Sequence, residues 1–429
     1  MNKLWSKLIG AFNSLKSKIA FYPSLFAAIG FFMAFLLIYA ENRGISAYLM
    51  DNFPSLVVND GDTALTILSA CITGLISMMV FSFSMVMVLL NQASTNYSPR
   101  LLPGLISNKK HQVILGVYLA TILYCIFIAV SIQPKGEEYQ VPGFSVLVGI
   151  IFTVICMWAF IYFIHTISQN IQINNILDKI YKSAKTRLKF LIEDPADNEK
   201  NFPDSTDWSE FYAEKSGYFQ NLHLENLKAI CDKKEINLHI LPVKGVFVLK
   251  GIPLLKTSRK IDEATFQEIR QTVVYSRDEL VSRNYALAFK QITEIIVKAM
   301  SPGINDPGTA MNGIDYLTEL WAMRMQKNDY SVHITEKNNK IKIDVISFEE
   351  LMYNVMASLR TYCKEDITIV QKLMQMFRYL KTQESVNPGF YDVIDKEAKT
   401  LLVDAFQSIT NPADQELLKN LSEKLNLNT

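Results

Sequence analysis

Four stretches of this chain, 23–40, 64–90, 113–132 and 144–164, contain no Asp, Glu, Lys or Arg. A bilayer core of about 30 Å takes roughly 20 helical residues to cross. A helix satisfies its own backbone donors and acceptors there, which among other structures only a closed barrel does. The pattern therefore predicts four membrane-spanning helices. It also accounts for a mean hydropathy of +0.13 with only 20% charged residues in a chain of 429. A soluble chain of that length carries more charge.

Composition narrows the alternatives. The five Cys include no CxxC pair, which argues against a disulfide scaffold, structural zinc, an iron–sulfur centre and a thioredoxin-like site. A net charge of +1 is wrong for a wholly basic nucleic-acid binder. Residues 1–22 set Leu4, Leu8, Phe12, Leu15 and Ile19 at helical spacing, with Lys3, Lys7, Ser14 and Lys18 largely elsewhere. That predicts an amphipathic helix lying in the inner membrane surface. No small-residue cleavage site follows the first apolar block, so a signal peptide does not fit.

Charge bias sets the orientation. Lys3, Lys7, Lys16, Lys18, Arg100, Lys109, Lys110, Lys179, Lys182, Lys185, Arg187 and Lys189 fall on one side of the four blocks. Only Arg43 and Lys135 fall on the other, among Glu41, Asp51, Asp60, Asp62, Glu137 and Glu138. Both termini are expected in the cytoplasm, the protein being a multi-pass protein of the cytoplasmic (inner) membrane. From residue 191 onward acids exceed bases by six, so the C-terminal region is an acidic domain and no partner for nucleic acid.

The fourth block runs on through FIHTISQNIQINNILDKIYKSAKTRLKFLI. Ile164, Ile167, Ile171, Ile176 and Ile180 keep helical spacing, which reads as a span extended into a stalk. The transmembrane part with its stalk is set at 23–190. A linker rich in Asp, Asn and Pro covers 191–210, and a cytoplasmic domain covers 211–429. That domain is expected to be mixed α/β and mainly helical. SGYFQ and INLHILPVKGVFVLKGIPLLK suggest a small β-barrel-like patch, without the exposed Lys tripeptide of a biotinyl or lipoyl carrier. Helices are expected near 278–300, 307–326, 348–364, 368–381, 391–409 and 414–425, with a hairpin turning at Asn338–Asn339.

Three constellations stand out. Thr66, Ser69, Thr73, Ser77, Ser84 and Asn91 share one face of the second span. They read either as the wall of a water-lined conduit or as a packing stripe that lets helices approach closely. At the inner ends of spans two and four, Gln92, Arg100, His165 and Gln169, with Asn91, Asn96, Asn170 and Gln172 beside them, form a candidate collar. The string SPGINDP at 301–307 joins two helices. Pro302 and Gly303 end the first, and Asp306 and Pro307 cap and begin the second. Ser301, Gly303, Asn305 and Asp306 are thus either a ligand site on free backbone N–H groups or a structural joint. No nucleotide, metalloprotease, hydrolase or dinucleotide motif occurs. The five His are scattered. No catalytic residue, metal or cofactor is expected, and Cys71, Cys125 and Cys156 read as small apolar packing residues.

Two strings carry a resemblance. An apolar span followed by Gln92, Ser94, Tyr97, Ser98, Pro99, Arg100, Leu101 and Leu102 resembles the pattern Q-x-S-x-x-[YF]-S-P-R-L-L. Ala299 through Ala310 resembles A-[LM]-S-P-G-I-N-D-P-x-T-A. Together they are similar to a bacterial family of membrane proteins catalogued as domain of unknown function 2254, over about residues 20–385. SRDELVSRNYALAFKQITEII, ahead of Ser301, departs from the family form. The resemblance implies a fold and a location, and no activity.

The expectation is an oligomeric, non-enzymatic membrane protein whose partners are the lipid bilayer and further copies of itself. It is a channel or conduit gated by its cytoplasmic domain for an ion or small molecule. The alternative is a membrane-anchored ligand-binding or scaffold protein without transport.

Overall fold

The computed structural model describes residues 20–43, 45–46, 57–58, 60–96, 109–135, 138–170, 172–194, 201–276, 281 and 284–424. The amphipathic helix expected over 1–22 falls outside the described residues as far as residue 19. The chain divides into two compact units, Met1–Gln172 and Ile173–Thr429.

In the first unit the four uncharged blocks are helices: α1 (Phe21–Glu41), α2 (Gly61–Asn96), α3 (Lys109–Ser131) and α4 (Gly143–Asn170). All four are long and apolar enough to cross a membrane. α3 is the central one. It packs on each of the others, and 44% of its apolar window is buried, against 11% for α1 and α2 and 22% for α4.

Small residues set the closest crossing. The buried residues of α1 are Gly30 and Ala34, a small-xxx-small pair that lets backbones meet. Gly30 faces the main chain of Ala120, and Gly116 faces Phe26.

Glu41, just past the first apolar block, accepts the Ser145 backbone N–H at 2.8 Å and the Ser145 hydroxyl at 3.0 Å. The Phe144 N–H donates to Ser46 Oγ at 2.9 Å. These are first-turn donors of α4, which have no partner within the helix, and a carboxylate also suits the positive end of its dipole. A short hairpin, β1 (Gln133–Lys135) and β2 (Glu138–Gln140), joins α3 to α4.

The second unit opens with α5 (Ile173–Ile192). Here the structure corrects the continuous stalk. α4 stops at Asn170 and α5 begins at Ile173. The buried residues of α5 are Ile176, Leu177, Ile180, Tyr181, Ala184 and Leu188, and the helix packs on α8 (Tyr285–Ala299) and α9 (Pro307–Arg324). The apolar period that looked like a prolonged span is the buried face of a docked helix. Tyr181 donates to Glu319, and Asn312 to Asn174 at 3.2 Å. The unit boundary therefore falls before α5 rather than in the 191–210 linker.

The β-rich segment is also corrected, since the described residues form no closed barrel. Strands β3 (Ser209–Tyr212), β7 (Pro253–Thr257), β5 (Leu238–Ile240), β10 (Lys340–Ile343) and β9 (Val332–Ile334) make one open sheet in that order. Among the described residues of this sheet, β5 and β10 pair in parallel and the other neighbours antiparallel. β6 (Phe247–Val248), β4 (Gly217–Leu222) and β8 (Val273–Ser276) make a second sheet. The turn at Gly251, with φ +87°, carries the chain from β6 in one sheet to β7 in the other, so the strands never close a ring. Leu222, Leu238, Ile240, Leu255 and Ile341 fill the core with Leu227 and Cys231 of α6 (Leu224–Lys234) and Phe266 and Ile269 of α7 (Glu263–Gln271).

The remaining helices are α10 (Phe348–Cys363), α11 (Ile367–Lys381), α12 (Gly389–Ser408) and α13 (Pro412–Lys424). They fall where the sequence places them, and the hairpin turns at Asn338 with φ +65°. Their core holds a buried aromatic row: Phe289, Trp321, Phe348 and Phe390, with successive ring centroids 4.4, 5.3 and 4.3 Å apart.

Candidate functional site

Every member of the span-two stripe is exposed in the isolated chain: Thr66, Ser69, Thr73, Ser77, Ser84 and Asn91. The buried residues of α2 are Gly61, Ala64, Leu68, Leu75 and Ser82, with Leu65, Ile72, Met79 and Val86 packed beside them. At 3.6 residues per turn the two sets lie on opposite sides of the helix. Among the described residues, the stripe therefore lies outside the buried face of α2. Thr66 donates to the Asp62 carbonyl at 2.7 Å and Ser77 to the Thr73 carbonyl at 2.9 Å, so these hydroxyls are satisfied by their own helix. Gly74, beside the stripe, has open space where a β-carbon would stand.

Of the collar, His165 and Gln169 are both exposed on α4, one turn apart, with Gln169 Nε2 and the His165 Nε2 3.0 Å apart. The Gln92 side chain and Arg100 lie outside the described residues.

In the 301–307 joint, Asp306 caps α9 and Pro307 stands in its first turn. Ser301 Oγ donates to the Lys298 carbonyl at 2.7 Å, and the Ile304 and Asn305 N–H groups both reach the Ser301 carbonyl at 3.0 Å. The Asp306 N–H donates to the Ala299 carbonyl at 2.8 Å. Asn305 holds φ +48°. Asp306 caps α9 by accepting the Thr309 N–H at 3.0 Å and the Thr309 hydroxyl at 2.6 Å, which hold its carboxyl below the usual range. Gly303 is exposed with open space around it. The joint's own bonds account for Ser301, Ile304, Asn305 and Asp306, and the carboxylate of Asp306 already occupies the start of α9.

A cavity of about 250 Å³ lies inside the second unit, lined by none of the candidate site residues read from the sequence. Its wall draws on the end of α5, β4, the turn after β5, the start of α8, and the β9–β10 hairpin. Arg187, Lys244, Lys327 and His333 line it together with Asp194 and Asp344, and Leu191, Leu222, Val243 and Ile343 give it apolar walls. Arg187 Nε is buried with no hydrogen-bond partner among the described residues. Burial lowers the Arg187 guanidinium's affinity for its proton, with Asp194 as the opposing charge. Lys244 Nζ donates to Asn221 Oδ1 at 3.2 Å, and Lys327 Nζ to the Asn328 carbonyl at 2.7 Å. His333 is held below its ordinary value, first by burial and then by Lys228 and Lys244, against Asp194 and Glu225. One signal was available: Arg187 sits three residues after Ala184 and seven after Ile180, on the buried stripe of α5, where a cation calls for a partner.

Ser205, His239 and Asp344 form a line of hydrogen bonds. Ser205 Oγ is 2.8 Å from His239 Nδ1, and Asp344 Oδ1 is 2.8 Å from His239 Nε2. The order of groups is that of a nucleophilic triad, but Ser205 lies outside the cavity wall. The line fastens the segment before β3 to β5 and to the end of β10. Among the described residues no cluster of His, Cys, Asp or Glu could hold a metal ion.

A family model described as "Predicted membrane protein (DUF2254)" matches residues 16–379. The uncharacterized protein Rv1290c of Mycobacterium tuberculosis is 21% identical over 359 residues, spanning 78% of this chain and 67% of the relative. The uncharacterized protein Mb1321c of Mycobacterium bovis matches with the same identity and coverage. No solved structure matches the chain.

Proposed function

We propose, for a chain that belongs to the DUF2254 family of predicted membrane proteins, an oligomer in which the outer faces of α2 meet around an axis and enclose a hydroxyl-lined conduit. The protein sits in the cytoplasmic membrane with both termini and the second unit inside, and it performs no chemical transformation. The observation that carries this reading is the stripe's position, exposed and opposite the face that α2 uses within its own bundle. Polar side chains lining one face of a membrane helix turn to a bundle interior or to water rather than to acyl chains. Small hydroxyl residues let a second copy approach closely, and closed rings are how identical copies satisfy such a surface. The 36 residues of α2 span about 54 Å at 1.5 Å per residue, well beyond a core of about 30 Å. The polar face then continues past the lipid as far as Asn91, at the level proposed for the collar.

The test uses the full-length protein, freed of its native cysteines, in membranes. Copies carrying Ser77→Cys or Ser84→Cys cross-link on oxidation, while Leu75→Cys, buried within the bundle, does not. Water-soluble thiol reagents reach the first two positions in reconstituted vesicles when the path is wet. Absence of cross-links at both positions, with vesicles impermeable to ions and small solutes, overturns the conduit.

A second reading, a membrane-anchored binding protein without transport, is favoured by the cavity of the second unit, whose lining is that of a ligand site.

A further inference from the structure

Among the described residues, three basic side chains, Arg187, Lys244 and Lys327, line the cavity with two carboxylates, Asp194 and Asp344. Asp344 is turned partly away, accepting from His239 at 2.8 Å and lying 3.7 Å from Lys342 Nζ. A buried guanidinium donor without an acceptor is unfavourable, and Arg187 Nε is such a donor. Guanidinium groups pair with carboxylate and phosphate oxygens above other partners. Asn221, Asn284 and Ser331 add neutral hydrogen-bonding groups to the wall, and Leu191, Leu222 and Val243 give it an apolar side. A few convergent polar groups in an otherwise apolar concavity is the ordinary make-up of a small-molecule site.

We propose that this cavity binds a small oxyanion-bearing molecule with an apolar body, its phosphate or carboxylate oxygens meeting Arg187 Nε and the Lys244 side. Binding supplies the acceptor that Arg187 Nε lacks among the described residues. The ligand is either a soluble metabolite or the headgroup of an anionic lipid, and the two present the same oxygens. The site shares no residue with the conduit, because all its residues belong to the second unit. A protein that binds but passes no solute keeps this proposal and loses the other, and the reverse outcome does the opposite.

The experiment is ligand-dependent thermal unfolding of the full-length protein in detergent. The probes are inorganic phosphate, phenyl phosphate, benzoate, neutral benzyl alcohol and dioctanoyl phosphatidic acid. Phenyl phosphate raises the midpoint by about 3 °C at roughly ten times its Kd, inorganic phosphate by less, and benzyl alcohol leaves it unchanged. A larger shift with phosphatidic acid than with phenyl phosphate identifies the lipid headgroup as the source, and the reverse identifies a soluble metabolite. Arg187→Gln weakens phenyl phosphate binding by about tenfold or more, and Arg187→Lys by less. Lys244→Gln weakens it as well, and phenyl phosphate protects Lys244 from acetylation in the unaltered protein. The proposal is overturned when no anionic probe moves the midpoint, or when a folded Arg187→Gln protein responds as the parent does. If Arg187→Gln does not fold, unprotected Lys244 together with unaltered binding by Lys244→Gln overturns it.

Discussion

Gly30 of α1 lies against the main chain of Ala120 in α3, so closely that a β-carbon at Gly30 would overlap the Ala120 carbonyl. The first and third helices meet there backbone to backbone. Ala34, one turn on, is fully buried in the cluster that holds Tyr124 and Cys125.

Gly30→Leu therefore drives α1 away from α3, since carbonyl groups in a helix cannot step aside as a side-chain tip can. Overpacking of this kind costs about 1–3 kcal/mol. The expected result is a lower thermal midpoint in detergent, and an unchanged midpoint would show that the helices part without loss.

Gly74→Leu is the matched case on the outer face of α2, where nothing stands within 4 Å of the added carbon. The fold of the single chain should be unaffected. If copies meet along this face, the bulkier residue holds them apart. Mass photometry should then show fewer copies per particle than the parent, at an equal thermal midpoint in dilute detergent.

Arg360 of α10 pairs with Glu397 of α12, and its Nε lies 3.2 Å from Asp404 Oδ2. Burial pushes the Glu397 carboxyl above its ordinary 4.5, and the Arg360 charge is the chief opposing influence. Arg360→Met leaves a buried carboxylate without its cation, which costs about 3–5 kcal/mol at neutral pH. The sign follows from linkage. A carboxyl whose folded value is raised holds its proton more tightly when folded, so the favourable contribution is present below pH 4.5 and disappears as pH rises through the folded value. The gap between variant and parent in thermal midpoint should narrow as pH is lowered toward 4.5.

His333 shows the opposite sign. Burial holds its imidazole below 6.5, so the folded chain binds the proton less readily than the unfolded chain. Stability is then full above pH 6.5 and declines as pH falls from there toward the folded value. His333→Gln should flatten the profile of thermal midpoint against pH between about 6.5 and 5. A profile of equal slope in variant and parent would remove His333 as its cause.

Much of the local structure was legible. The helix from Pro307 follows from Asp306, whose side chain accepts the Thr309 N–H, and from the proline at its first turn. The β9–β10 hairpin follows from the Asn pair at its tip, where Asn338 takes a positive φ. α6 and α7 were not foreseen, being 11 and 9 residues long, too short for their period to stand out between strands. Of the candidate sites, the stripe was found as a surface, but its direction was not. The cavity was missed because Arg187, Lys244 and His333 come from three segments far apart in the chain.

What lipid and water act on locally is legible in the residues alone: four uncharged apolar stretches, the bias of Lys and Arg around them, the Asp306 cap and the Asn338 turn. Solvation of a segment depends on its own composition, so no partner is needed to read it. Packing between distant segments set which side of each helix is covered. It turned the supposed stalk into a helix docked on α8 and α9, opened the supposed barrel into two sheets, and set the hydroxyl stripe of α2 on the face its own bundle leaves bare. The physical reason is that an apolar or polar stripe fixes a demand for burial or for water, while the group that meets the demand comes from wherever the chain returns.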